Sequence, residues 1–236
     1  TSNPFHTFAE LGQKGLIPNP VEILANLSMD HLENKVKDHV NNGLSNVQNG
    51  VYEVQTFGSK LINFIPNLAA NAIKDIQNMI NLSGVVSCVN KQPLPFSNVI
   101  QVAAKSASKC VAEKVDQAAN IWNNTADNLR NASNDLQNLR DSINDCSQRI
   151  SSGSLGLSLS DAMALNTCYA AALINVQSET ILLPITIGQK IAEGVDWANS
   201  LKGYMVKCVA NLAQDIATQA FKASQAIAKC IVDSTG

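Results

Sequence analysis

The segment CVANLAQDIATQAFKASQAIAKC, residues 208–230, begins and ends with cysteine and contains neither glycine nor proline. This composition is typical of an unbroken α-helix. Twenty-two residues make close to six helical turns, so both cysteines would lie on one side of the helix, about 33 Å apart at ~1.5 Å per residue. A disulfide requires Cα atoms within about 7 Å. We therefore expect each of the two cysteines to bond to another helix.

Apolar residues keep a spacing of three and four along most of the remaining chain, and strand patterns are almost absent. Asn19, Pro20 and Glu22 predict a helix start, because they supply a capping side chain, a proline at the first helical position and a carboxylate at the third. Where glycine or proline coincides with a loss of the three-four spacing of apolar residues, a helix break is predicted. Such breaks are predicted near Pro66 and over residues 84–96, 151–158 and 184–188.

These patterns predict an all-α fold, a bundle of long antiparallel helices stapled by disulfides. Residues 1–19 show no helical periodicity of apolar residues and are interpreted as an extended arm. Residues 20–236 are interpreted as a single helical domain. The region 20–82 would be one long helical region, and the helix that starts after Ser158 or Ser160 is apolar on nearly all sides. A helix of that kind is expected in the middle of a bundle.

The six cysteines show the interval C-x21-C three times; they are Cys88, Cys110, Cys146, Cys168, Cys208 and Cys230. A second long helix is predicted from about Ser97 to Ile150, and the distance argument that separates Cys208 from Cys230 also separates Cys110 from Cys146 on it. Several connectivities remain open. The bond Cys168–Cys208 is favoured, because a turn at PITIG, residues 184–188, would place the two cysteines opposite each other on antiparallel helices. The alternative is six reduced, buried cysteines that pack as small apolar residues.

Secretion is expected from the even number of cysteines, which suits an oxidising compartment. The chain begins with Thr and not Met, which is the expectation for a mature chain after removal of a signal peptide. Four glycosylation sequons agree with this interpretation and begin at Asn26, Asn81, Asn123 and Asn131. The longest apolar run, YAAALINV from Tyr169, is too short to span a bilayer, so no transmembrane segment is expected.

The cysteine pattern resembles a family of insect secreted proteins grouped with the N-terminal domain of the tsetse EP protein. The resemblance covers residues 84–234 and rests on CVNKQPLPFSNVIQVAAKSASKC, CSQRISSGSLGLSLSDAMALNTC and the segment 208–230, with an aliphatic residue after the last cysteine. It implies an insect source, secretion and a helical fold. It implies no enzymatic activity. The first helix, 20–82, lies outside the match, and no Glu-Pro repeat tail is present.

Catalytic and cofactor-binding signatures are absent from the sequence. The three histidines, His6, His31 and His39, do not form the HExxH pattern of a zinc helix, so no metal site and no cofactor are predicted. No phosphate-binding loop or nucleophile elbow appears. A net charge of −2 gives no basic field for nucleic acid. The chain is therefore predicted not to be an enzyme.

Two functions remain. In the first, the protein is a secreted carrier of an apolar ligand such as a lipid or fatty acid. Two predicted helices, residues 161–176 and about 189–232, would form the walls of its pocket, with Tyr169 or Tyr204 as polar anchor. The predicted lining residues are Met163, Tyr169, Leu173, Ile174, Tyr204, Leu212, Ile216 and Phe221. In the alternative, the protein is an extracellular structural, surface-active, recognition or defence module that acts through its glycosylated surface, and long helix seams would also permit oligomers.

Overall fold

The computed structural model describes residues 19–148 and 159–236, and within them the fold is all-α with no strand. Three long helices and one short helix follow one another: α1 Pro20–Leu82, α2 Val86–Val89, α3 Phe96–Gln148 and α4 Leu159–Thr235. The predicted fold class is therefore confirmed. Residues 1–18 of the predicted arm over 1–19, and the predicted break over 151–158, lie outside the described residues.

α1 begins where the sequence predicts. The Oδ1 atom of Asn19 accepts hydrogen bonds from the backbone N–H of Val21 at 2.8 Å and of Glu22 at 3.4 Å. These bonds satisfy two of the donors that the first turn of a helix leaves unpaired, and Glu22 places a carboxylate in that turn.

The break predicted over 84–96 is also confirmed. The Ser83 hydroxyl donates to the carbonyl of Ile80 at 2.6 Å, and Gly84 follows with a φ of +77°. A glycine in this left-handed conformation is a common helix stop, because a Cβ would be strained there. The one-turn helix α2 and a segment with two prolines then lead to Phe96, the first residue of α3.

The predicted breaks at Pro66 and over 184–188 are wrong, because α1 continues through Pro66 and α4 through Pro184. A proline inside a helix costs about 3 kcal/mol or more. Each of these prolines follows a fully or almost fully buried residue, Ile65 or Leu183, and Ile187 lies one turn further along α4. Burial of one large aliphatic side chain stabilises by about 1.5–3 kcal/mol. Leu183 and Ile187 therefore offset the proline penalty on α4, and Ile65 together with the buried Ala69 offsets it on α1.

The helices form two compact units. Unit 1 consists of residues 19–47, 123–148 and 159–194, and unit 2 of residues 48–122 and 195–236. In both units α3 runs antiparallel to α1 and α4, while α1 and α4 are parallel. In unit 1, Arg140 of α3 pairs with Glu33 of α1. In unit 2, Glu53 of α1 pairs with Lys202 of α4 at 2.8 Å.

Three disulfides staple the units: Cys146–Cys168 in unit 1, and Cys88–Cys230 and Cys110–Cys208 in unit 2, with Cα–Cα distances of 5.7, 6.0 and 5.9 Å. The number of bonds and both exclusions are confirmed. The favoured Cys168–Cys208 bond is wrong, because PITIG is helical and both cysteines lie on one unbroken helix, α4. Two of the three intervals of 22 match each other, because the step from Cys208 forward to Cys230 is paired with the step from Cys110 back to Cys88 on the antiparallel side. The third interval separates Cys146 and Cys168, which are bonded to each other.

α1 carries no cysteine. Its body is therefore held to α3 and α4 by packing and polar contacts alone. Two glycines of α1 mark close approaches: a Cβ at Gly43 would overlap Ile191 of α4, and a Cβ at Gly58 would overlap Val115 of α3.

Replacement of Gly58 by alanine tests the close approach in unit 2. We expect Gly58→Ala to lower the free energy of unfolding by about 1–3 kcal/mol, because the branched Val115 side chain cannot yield freely. Gly203→Ala is the matched control: nothing lies within 4 Å of its Cβ position, so the better helix propensity of alanine should stabilise by about 0.5–1 kcal/mol. Thermal unfolding followed by circular dichroism compares the two. Equal melting temperatures would contradict the predicted packing.

Peptide mapping of the non-reduced protein tests the cysteine pairing. We expect three linked peptide pairs, Cys88 with Cys230, Cys110 with Cys208 and Cys146 with Cys168, and no free thiol. A peptide that links Cys168 to Cys208 would mean that α4 turns back at PITIG.

Candidate ligand-binding surfaces

Among residues 19–148 and 159–236, no group of three or more His, Cys, Asp or Glu side chains could hold a metal ion. His31 and His39 are exposed on α1. All six cysteines are consumed in disulfides, so none is a free thiol. The described part of the chain therefore presents no metal cluster and no cysteine nucleophile.

The most connected charged side chain is Arg140 of α3, which reaches across to α1 in unit 1. Its guanidinium donates to Glu33 at 3.1 Å, to Asn26 at 3.3 Å and to Asp30 at 2.6 Å. The hydrogen bond with Glu33 contributes most to raising the pKa of Arg140, and burial opposes it. All three partners lie on α1, so Arg140 helps to hold α1 against α3.

Tyr169, one of the two predicted polar anchors, lies in the core of unit 1 with 1% of its surface exposed. Burial raises the pKa of the Tyr169 phenol, and the nearby Glu22 carboxylate adds to this shift. Tyr204, the other predicted anchor, is exposed, and the ammonium groups of Lys114 and Lys207 lie 5.3 and 5.2 Å from its ring centre. The Tyr169 hydroxyl is therefore unavailable to a ligand on the surface.

The other six predicted lining residues divide by exposure. Leu212 is buried, Leu173 and Ile216 are half-buried, and the exposed members are Met163, Ile174 and Phe221. Because PITIG is helical, the two predicted walls are consecutive stretches of α4 and not two facing helices. The pocket between two facing helices that the sequence suggested is therefore not formed.

An apolar surface is exposed on α4 in unit 1. Between Asp161 and Lys190 the only charged residue is Glu179. The expectation that this helix lies in the middle of the bundle is wrong, because its apolar residues outside the buried stripe are exposed. Helical steps place four of them on one side: Met163, Ile174, Ile181 and Ile185.

α1 extends this surface. Leu27, which is 60% exposed, lines a shallow groove together with Ile181, which is 67% exposed. We call Leu27, Met163, Ile174, Ile181 and Ile185 the apolar face of unit 1. Exposed apolar surfaces of this kind mark sites that contact a protein, a ligand or a membrane.

α4 is also the one helix among the described residues that is long and apolar enough to cross a membrane, judged by length and composition. The sequence showed no such span, because polar residues interrupt every apolar run. Core helices of soluble proteins pass the same test, but they are mostly buried. In α4 only 22% of the most apolar stretch of 18 residues is buried. The apolar character of α4 therefore exceeds what the packing of unit 1 uses.

A second apolar surface is a groove of about 430 Å³ between α1 and α3 in unit 2. We call it the α1/α3 groove. Its floor contains Ile65, Ala69 and Ala104, all buried, and Ala70 lies beside them, exposed. Alanine at these positions leaves space that larger side chains would fill. Lys105 is the only cationic residue in its lining.

The charge around the α1/α3 groove is one-sided. Between Glu53 and Glu113 the only acidic residue is Asp75, whereas this stretch holds five lysines: Lys60, Lys74, Lys91, Lys105 and Lys109. Within the described residues, Lys105 forms no ion pair. This groove was not predicted from the sequence, although the sequence shows the lysine-rich stretch next to the alanines.

The four sequons also differ in accessibility. Asn81, Asn123 and Asn131 are exposed, whereas Asn26 is half-buried and its side chain accepts the hydrogen bond from Arg140. A glycan on Asn26 would have to occupy the space between α1 and α3.

Glycosylation therefore is expected at exposed sequons and not at Asn26. The measurement is mass spectrometry of peptides from protein secreted by cultured insect cells, with enzymatic release of glycans in heavy-oxygen water to mark occupied sites. We expect occupancy at the three exposed sequons, Asn81, Asn123 and Asn131, and none at Asn26. Full occupancy of Asn26 would contradict the Arg140 contact.

Neither a family model, nor a curated protein, nor a solved structure matches the chain.

Proposed function

We propose that the protein is a secreted, non-enzymatic carrier of lipid-like apolar ligands and that it engages lipid through the apolar face of unit 1. The observation that carries this proposal is the exposure of the most apolar part of α4, where Glu179 is the only charged residue between Asp161 and Lys190. Three disulfides support an oxidising, extracellular compartment. The insect source stays a prediction from the cysteine spacing.

Lipid is favoured over a protein partner by the residue types of the apolar face. Protein interfaces draw much of their affinity from Trp, Tyr and Arg. The apolar face of unit 1 contains only Leu, Ile and Met, which form no directional contacts. Such side chains suit insertion among acyl chains, as in helices that lie at a membrane interface.

The strength of this contact suits a reversible carrier. A fully buried Leu or Ile side chain contributes about 1.5–3 kcal/mol relative to exposure. The residues of the apolar face expose 55–67% of their surface, so each gains about 1 kcal/mol on insertion. Five such residues give about 5 kcal/mol, close to the ~4 kcal/mol of a millimolar dissociation constant and far from permanent anchoring.

A test of this function uses flotation of the protein with phosphatidylcholine vesicles. We expect the wild-type protein to float with the vesicles and the triple variant Leu27→Gln/Ile174→Gln/Ile181→Gln to bind at least tenfold more weakly, because about 3 kcal/mol of apolar burial is removed. The three side chains are exposed, so the fold should be preserved.

The matched control is Val206→Gln/Phe221→Gln/Val232→Gln, which alters three exposed apolar residues of unit 2. It should bind vesicles like the wild type. Absence of wild-type binding, or an equal loss in both triple variants, would contradict the role of the apolar face. Lipid extracted from the native protein and identified by mass spectrometry gives an independent measurement.

The absence of cysteine from α1 favours a second candidate, a surface-active protein whose α1 separates from α3 and α4 and exposes the buried stripes at a lipid–water interface. Cys146–Cys168 and Cys110–Cys208 would keep α3 and α4 paired within each unit during such an opening, and Cys88–Cys230 would keep α2 on α4. The two candidates differ in whether the bundle must open. The carrier can bind lipid while α1 stays packed on α3 and α4, whereas the surface-active protein requires α1 to separate from them.

A new disulfide separates these candidates. A Cβ placed on Gly50 would lie 3.6 Å from the Cβ of Ala198, within the range for a disulfide. In the variant Gly50→Cys/Ala198→Cys, α1 is bonded to α4 in unit 2. Unchanged vesicle binding and surface tension would support the closed carrier. A loss of both, with the single variant Ala198→Cys unaffected, would support the opening bundle.

A further inference from the structure

We propose that the α1/α3 groove of unit 2 binds one fatty acid molecule, with the acyl chain on its apolar floor and the carboxylate at Lys105. This inference rests on the proposed carrier function for the class of ligand. It concerns a different unit and a different mode of binding, since a single molecule enters a groove and no lipid surface is needed.

The groove has the size and lining that an acyl chain requires. Its volume, about 430 Å³, lies within the roughly 300–1,000 Å³ of small-molecule sites. On α1 its lining extends from Ile65 to Ile73, about 12 Å along the helix at ~1.5 Å per residue. Small side chains at Ala69, Ala70 and Ala104 allow a chain of methylene groups to approach both helix backbones.

The rim supplies the groups that a carboxylate requires. Lys105 provides a positive charge that has no acidic partner among the described residues. Gln101 and Ser108, one turn before and one turn after it, provide hydrogen-bond donors. The neighbouring lysines on both helices, Lys74 and Lys109 among them, add a positive field that no acid on α3 before Glu113 offsets. A charge-assisted hydrogen bond to an ionised group is roughly twice as strong as a neutral one.

A neutral lipid would form no ion pair with the lysines. A protein helix would need a wider apolar surface than the floor of this groove provides. The combination of one short apolar trough and one unpaired cation fits a single-chain anion. Laurate is the probe of choice, because it is a single-chain carboxylate that remains monomeric at useful concentrations.

The experiment measures binding of laurate labelled with carbon-13 at the carboxyl group. We expect one equivalent to bind saturably to the oxidised wild-type protein, with a carboxyl resonance distinct from that of free laurate. Lys105→Gln should raise the dissociation constant about tenfold, and Lys222→Gln, an exposed lysine of α4 outside the groove, should leave it unchanged. Dodecanol should bind the wild type and Lys105→Gln equally.

A second pair of variants tests the floor. Ala70→Leu places a large side chain in the groove and should abolish binding of laurate. Ala119→Leu adds the same atoms at an exposed alanine of α3 in the same unit and should leave binding unchanged. Since both alanines are exposed, both variants should fold, and circular dichroism verifies this.

Wild-type protein that fails to bind laurate, or Ala70→Leu that binds it normally, would overturn the assignment. Binding of dodecyl phosphate in place of laurate would overturn the carboxylate assignment and identify a phosphate headgroup. The failure of this site is distinguishable from failure of the proposed function: Ala70→Leu should still float with vesicles, and Leu27→Gln/Ile174→Gln/Ile181→Gln should still bind laurate.

Discussion

The buried stripe of α4 is the feature on which the rest of the fold depends. Its buried residues follow one another in steps of three and four, with three steps of seven, along nearly the whole helix. Because the packed residues on both sides of Pro184 belong to this one stripe, ending the helix there would cost more burial than the proline costs in strain. The helix therefore continues, and α4 supplies one packed side to each of the two units.

A continuous α4 also determines the disulfide pattern. With Cys168, Cys208 and Cys230 on the same helix, none of the three can bond to another, and each must find a partner at its own level on the antiparallel side. Those partners are Cys146 and Cys110 on α3 and Cys88 on α2. Because α1 contains no cysteine, no disulfide joins it to another helix. Close approaches at Gly43 and Gly58 and the contacts of Arg140 then hold α1 in place.

The sequence predicted whatever depended on local chemistry. The Asn19 cap, the glycine stop at Gly84 and the spacing of apolar residues define the start and end of α1 and the all-α class. It failed at Pro66 and Pro184, where the local penalty of proline is outweighed by the burial of Ile65 and Leu183, residues whose partners are distant in the chain. The wrong Cys168–Cys208 bond and the unformed two-helix pocket both follow from that single error at Pro184. The α1/α3 groove was missed for another reason: alanines at helical spacing are equally typical of a dense core, and only the space between two helices distinguishes the two cases.

The proposed function follows from a mismatch between composition and architecture. A helix in a three-helix unit buries one stripe, whereas α4 between Asp161 and Lys190 is apolar on nearly all sides. The residues beyond the stripe must then meet solvent or something apolar, and Met163, Ile174, Ile181 and Ile185 are exposed for this reason. Unit 2 departs from a closed surface in another way: alanines on α1 and α3 leave a trough that larger side chains would have filled. A protein that merely needed to be soluble and rigid would carry charge on the first surface and larger side chains in the second, so both departures favour contact with an apolar ligand.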